Sequence, residues 1–231
     1  MTSRGDLLTA LFAAMRTASD PKARRFLASY FGTESSTPFA GLTAVAARRV
    51  AVRFAEHFDR MQLRRLLANR VPECRFVALE ILVRQYEQHP AAREALAKFY
   101  LSNLRHVDHW VLVDTSASYV LGHYLRDKPR TPLYRLARSK RMPERRIAIV
   151  ATWAFIKAGD IADTLRIAEQ LLDDESALIH RAVGWMLREV GKRSPALKEK
   201  FLRKHARSMP SLMLRCAVKR FPTESKKSLR S

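Results

Sequence analysis

Arg75, Trp110, Arg146, Arg181 and Arg215 follow one another at steps of 35, 36, 35 and 34 residues. Four of the five are arginines, and three of these carry an alanine close behind: Arg146-Ile147-Ala148, Arg181-Ala182 and Arg215-Cys216-Ala217. The phrase Pro-Glu-x-Arg opens twice, at Pro72 and at Pro143. A fixed period in the range of about 20–50 residues marks a repeat architecture, in which each supersecondary unit buries its apolar face only against its neighbours. No other feature of the chain restricts its fold as strongly.

The residues inside each period are helix formers. Ala, Leu and Arg dominate, and hydrophobic residues make up 47% of the chain, enough for a continuous core. Seven glycines and ten prolines are too few for a loop-rich β protein. The expected fold is all-α, a HEAT-like α-solenoid of antiparallel helix pairs with a basic concave face. Its unit is shorter than the usual HEAT length of about 40–47 residues, and the Trp, Gly and Tyr signature of TPR is absent. One repeat domain over residues 1–222 is expected, followed by a disordered basic tail over 223–231.

Local signals place the helices. Asp20-Pro21 opens one over Lys22 to Tyr30, Thr43 caps one to His57, and Asp59 caps one to about Asn69. Pro72 opens a helix to His89, Pro90 one to Leu104, and Val107 to Leu125 reads as one long buried helix. Later starts or breaks fall at Thr131, Pro143, Asp160, Ser176, Ser194 and Pro210. The total is about a dozen helices of roughly 10–18 residues, with no strand pattern. Phe31 to Gly41 is the one long polar loop.

Charge narrows the partners. Lys plus Arg number 43 against 22 for Asp plus Glu, a formal net charge of +21. Such an excess predicts attraction to a polyanion, and for a globular chain with a basic pI the leading polyanion is nucleic acid. A membrane surface is the rival, but the basic residues are spread over many helices instead of forming one juxtamembrane cluster. No apolar run approaches the 18 or so residues of a membrane span. Leu7 to Met15 is bracketed by Asp6 and Arg16, and so reads as an amphipathic first helix. Two cysteines, Cys74 and Cys216, suggest no disulfide framework and fit a reducing compartment. A soluble cytoplasmic protein is expected, as a monomer.

The register also gathers chemistry. Trp110 and Arg146 occupy equivalent places in neighbouring repeats. Asp114 lies four residues after Trp110, and Trp185 four after Arg181, so both occupy the next turn of the same helical face. The four therefore project from one side of three consecutive helices, a plausible place to hold a nucleotide. Each has a plainer alternative. Tryptophans in apolar helices usually fill a core. Asp114, set in Trp-Val-Leu-Val-Asp-Thr-Ser-Ala-Ser-Tyr-Val-Leu, is costly unless paired, and a structural salt bridge to Arg146 would account for both. His106, Asp108 and His109 do not have the spacing of a metal site, and no cofactor or metal is expected. Ser116 and Ser118 lack a His partner for a triad.

Trp110-Val-Leu-Val-Asp114, Arg146-Ile-Ala-Ile-Val150 and Ala182-Val-Gly-Trp-Met-Leu-Arg-Glu189 resemble the bacterial AlkD-like family of DNA alkylation repair glycosylases. The resemblance runs through most of the chain, and Ala182 to Lys192 is its most specific stretch. It implies a HEAT-like solenoid and a site made of Trp110, Asp114, Arg146 and Trp185, the four residues the register had already grouped. It also implies a DNA-contacting role for Tyr30. Val111 departs from the family, where an acidic or aromatic residue is common. The implied activity is a monofunctional DNA glycosylase acting on double-stranded DNA. It would excise positively charged N3- or N7-alkylated purines and leave an abasic site. The family is held to grip the backbone and leave the base stacked. Asp114 would stabilise the oxocarbenium-like sugar and position water, the tryptophans would pack on the sugar, and Arg146 would hold a phosphate. The alternative is a non-catalytic HEAT-like module that binds nucleic acid or an acidic protein.

Overall fold

The computed structural model describes residues 4–31 and 38–219. Most of the polar loop over 31–41, the side chain of Tyr30 and the tail over 223–231 lie outside the described residues. The described chain is helical, without a strand, as the periodicity requires. It packs as two compact units, Met1–Asp108 and His109–Ser231.

The first unit holds α1 (Arg4–Thr17), α2 (Pro21–Phe31), α3 (Ala44–Phe54), α4 (Arg60–Leu67), α5 (Pro72–Gln88) and α6 (Arg93–Ser102). Its starts follow the local chemistry. Asp20 accepts from the Lys22 amide at the head of α2, Thr43 caps α3, and Asp59 with Gln62 forms a reciprocal capping box on α4. Pro72 stands in the first turn of α5, where its missing N–H costs nothing. α5 is buried along nearly its whole length and packs against α3, α4 and α6. Two of its polar side chains tie down preceding loops. Gln85 donates to the carbonyls of Ala55 and Phe58 at 2.6 and 2.7 Å, and buried Glu73 accepts from the Gly41 amide at 2.8 Å. Burial, then the neighbouring Glu73 charge, pushes the Cys74 thiol up to about 12, so this cysteine is an inert part of the core.

The second unit runs α7 (Trp110–Ser116), α8 (His123–Leu125), α9 (Thr131–Ala137), α10 (Met142–Ala151), α11 (Trp153–Lys157), α12 (Ala162–Gln170), α13 (Ala177–Arg193), α14 (Pro195–His205) and α15 (Ser211–Ala217). α10 packs between α7 and α13, and α13 packs on α15. These helices start in successive periods of the register, so the repeat is visible as a row. Contact within the row is close enough to demand glycine. A Cβ at Gly184 of α13 would stand 2.5 Å from that of Cys216, and one at Gly122 would stand 2.1 Å from the Ala151 carbonyl oxygen.

The period also appears in the polar ties. Arg48 meets Glu80, Arg75 meets Asp108, Arg130 meets Asp163 and Arg146 meets Asp114, each pair separated by 32 or 33 residues. An arginine on one repeat thus repeatedly reaches a carboxylate on a neighbouring one.

Two sequence expectations need correction. Several helices are shorter than ten residues, among them α4, α7 and α9. The stretch from Val107 to Leu125 is not one α-helix. A 3-10 turn over Leu104–His106 precedes an extended His109, whose ring accepts from the Val111 amide at 3.3 Å and caps α7 at Trp110. After Ser116 the helix widens into a π-turn over Ser118–Gly122 before α8. Apolar periodicity cannot report this, since one extra residue in a turn leaves the composition unchanged.

Candidate active site

α7, α10 and α13 supply the four residues expected at the site. Asp114 stands on the second turn of α7, facing α10. Arg146, in the second turn of α10, clamps it with a two-pronged contact: Nε to Oδ1 at 2.9 Å and Nη2 to Oδ2 at 2.7 Å. The third guanidinium nitrogen, Nη1, donates to the Leu178 carbonyl in the first turn of α13. Arg146 therefore joins three successive repeat helices. It is only 5% exposed, whereas the Asp114 side chain keeps 23% of its surface open to solvent. The planar fork of an arginine suits this geometry as a lysine would not.

Trp110 lies one turn before Asp114, half-buried, with the Arg146 guanidinium carbon 6.0 Å from its ring centroid. It also lies beside His109, with ring centroids 5.5 Å apart. Trp110, Asp114 and Arg146 thus form one cluster, built on an anion held in place and left partly open. Trp185, in α13, is also half-buried, and its contact is with Trp153 at 5.8 Å between ring centroids. The structural ion pair weighed from the sequence exists, while the ring contacts of Trp185 are with Trp153 and not with Trp110. Trp110 and Trp185 are each partly exposed, neither wholly within the core.

The remaining register members take other roles. Arg75 pairs with Asp108 at 2.6 Å, and Arg181 and Arg215 are exposed. His106 accepts from Arg105, while His109 caps α7, so the three side chains between 106 and 109 turn to separate tasks. Ser116 is fully buried and donates to the Leu112 carbonyl at 2.6 Å, and Ser118 is buried too. Neither presents a nucleophile to solvent. A cavity of about 480 Å³ lies elsewhere, in the first unit, among Phe12, Met15, Arg16, Arg24 and Cys74.

Sequence reasoning missed Trp153, Tyr119 and Lys157. Trp153 touches Trp185, tilted, and Tyr119, edge-on at 6.1 Å, and the Lys157 ammonium stands 4.4 Å from its ring centroid. The helical period from Arg146 could not have found Trp153, because α10 ends at Ala151 and Trp153 opens a separate helix after Thr152.

Successive repeat helices with a clamped, partly open carboxylate one turn from a tryptophan define a helical-repeat protein with a candidate catalytic anion on its row of repeat helices. The sequence matches the DNA alkylation repair enzyme family over residues 11–221, and the chain belongs to that family, as its resemblance to AlkD-like proteins implied. No curated protein matches it. Among solved structures, the chain is similar to one described as a predicted DNA alkylation repair enzyme from Enterococcus faecalis. The TM-score is 0.68 at 15% identity, over 89% of this chain and 97% of that one. At that identity the likeness shows a shared fold.

Proposed function

We propose that this protein is a monofunctional DNA glycosylase that removes cationic N3- or N7-alkylated purines from duplex DNA. The observation that carries the reading is the single carboxylate of Asp114, held by Arg146 and open to solvent beside Trp110. Hydrolysis of an ordinary glycoside normally uses two carboxylates, one of them to protonate the leaving group. An alkylated purine that already carries positive charge needs no such proton. Its N-glycosidic bond breaks with the electron pair passing to the base, which leaves neutral. Positive charge then develops on the deoxyribose, where a fixed anion stabilises it. Water adds to C1′ and loses a proton, and the product is an abasic site.

Within this reading Arg146 is a positioning residue. Its fork fixes both oxygens of Asp114, so the carboxylate needs no reorganisation as the charge develops. A phosphate contact by Arg146 would use the N–H groups its three bonds leave over. Trp110 and Trp185 offer faces that pack on a sugar and attract a cation. The partner would be double-stranded DNA, drawn by the +21 net charge.

The test is release of N7-methylguanine or N3-methyladenine from methylated duplex DNA under single-turnover conditions. Asp114→Asn should slow release by roughly a hundredfold, the scale for losing one preorganised electrostatic group, while keeping the helical circular dichroism of the wild type. A non-catalytic DNA-binding module predicts the opposite pattern: salt-sensitive binding, no base release and indifference to Asp114→Asn.

A further inference from the structure

Tyr119, Trp153 and Trp185 form a chain of ring contacts among three half-buried side chains of the second unit. Tyr119 sits in the π-turn that follows the Asp114 helix, Trp153 opens α11 directly after the Arg146 helix, and Trp185 lies in α13. The π-turn sends Ser118 and Val120 into the core and leaves Tyr119 half-exposed at its edge. Widened turns of this kind occur often at functional positions. Lys157 is exposed above these rings, 4.4 Å from the Trp153 centroid and 5.4 Å from that of Tyr119. Among the described residues no carboxylate pairs with it, and its ammonium contacts are with the two rings.

A core would bury such rings fully, and the Lys157 ammonium lies over two of them with its charge uncompensated by a carboxylate. Rings that stay half-open beside an unneutralised ammonium match the surface that strand-binding proteins offer to nucleic acid, in which flat faces receive sugars or bases and the cation receives a phosphate. The geometry points to a second DNA contact beyond the expected quartet: Lys157 holds a phosphate flanking the target nucleotide, and Trp153, braced by Tyr119, extends the Trp185 face along the same strand. This rests on the reading that DNA lies over Asp114, and it adds that the strand continues past Trp185 toward α11.

The experiment measures binding of the full chain to a duplex with a tetrahydrofuran abasic-site analogue, across a salt series, alongside single-turnover base release. Lys157→Ala removes an exposed side chain and leaves the fold intact. It should weaken binding about three- to tenfold and lower the salt-dependence slope by about one, as expected for one lost phosphate contact. Trp153→Phe keeps an aromatic ring against Trp185 and Tyr119. It should weaken abasic-duplex binding by a similar factor, with unchanged thermal stability. If wild type releases the base and both variants bind with wild-type affinity and slope, the second contact is refuted while the glycosylase reading stands. If wild type releases no base yet both variants lose binding as stated, the glycosylase reading fails and the DNA contact stands.

Discussion

Arg146→Met tests whether the clamp on Asp114 holds the second unit together. The substitution keeps most of the stem volume but removes three charge-assisted hydrogen bonds, two of them to a carboxylate. Breaking a fully buried ion pair costs about 3–5 kcal/mol because one charge is left without a partner. Here Asp114 is 23% exposed, so water recovers part of that loss. The Leu178 carbonyl lies in the first turn of α13, where the helix supplies its own amide. The expected destabilisation is therefore about 2–3 kcal/mol, nearer the scale for charge-assisted hydrogen bonds. At about 2–4 °C per kcal/mol for a chain of this size, Tm should fall by roughly 4–12 °C.

The three tryptophans, Trp110, Trp153 and Trp185, all lie in the second unit, so urea unfolding followed by tryptophan fluorescence reports on that unit. A double-mutant cycle with Asp114→Asn isolates the pair. The double variant carries neither charge. It should lose less stability than the two single losses summed, with a coupling of at least about 1 kcal/mol. A coupling below about 0.5 kcal/mol, the scatter of independent sites, would refute the reasoning. The contact would then be geometry without energetic weight.

Gly122→Ala should destabilise the second unit by about 1–3 kcal/mol, an overpacking cost, since the new Cβ would stand 2.1 Å from the Ala151 oxygen and 3.0 Å from the Ala154 Cβ. The same fluorescence melt reads it, and the sign is opposite to the helix-propensity gain of about 1 kcal/mol expected for glycine to alanine at an open site. Asp163 makes a pH prediction. Burial raises its pKa, but hydrogen bonds from Tyr134 and Arg130 outweigh this and hold it below the ordinary value of 3.8. Its contribution is thus complete above pH 3.8 and fades as pH falls through the lower folded value. Asp163→Asn should lower Tm at pH 7, and the gap to wild type should narrow below about pH 4. A gap that widens with acid would contradict the network.

Much of the fold was legible because it is local and periodic. Asp59 with Gln62, Pro72 and Ser194 each open a helix through hydrogen bonds or backbone limits within one turn. The repeat step fixes which residues of neighbouring helices are equivalent, and this grouped Trp110, Asp114, Arg146 and Trp185 before any coordinates. What the period cannot see is a change of step. The extended backbone at His109, the π-turn over Ser118–Gly122 and the break at Thr152 each alter which face the next residue takes. They brought Tyr119 and Trp153 into contact without any composition signal.

Sequence by itself determined the all-helical repeat, the family and the four residues worth watching. Tertiary structure decided their relations. It turned Arg146 inward onto Asp114 and Leu178 while leaving its register partners Arg181 and Arg215 exposed. It also paired Trp185 with Trp153 and set a bare ammonium over the rings. The physical reason is that helical spacing fixes the direction in which a side chain leaves its helix. Its burial and partners depend on what the next repeat presents some 30 residues away.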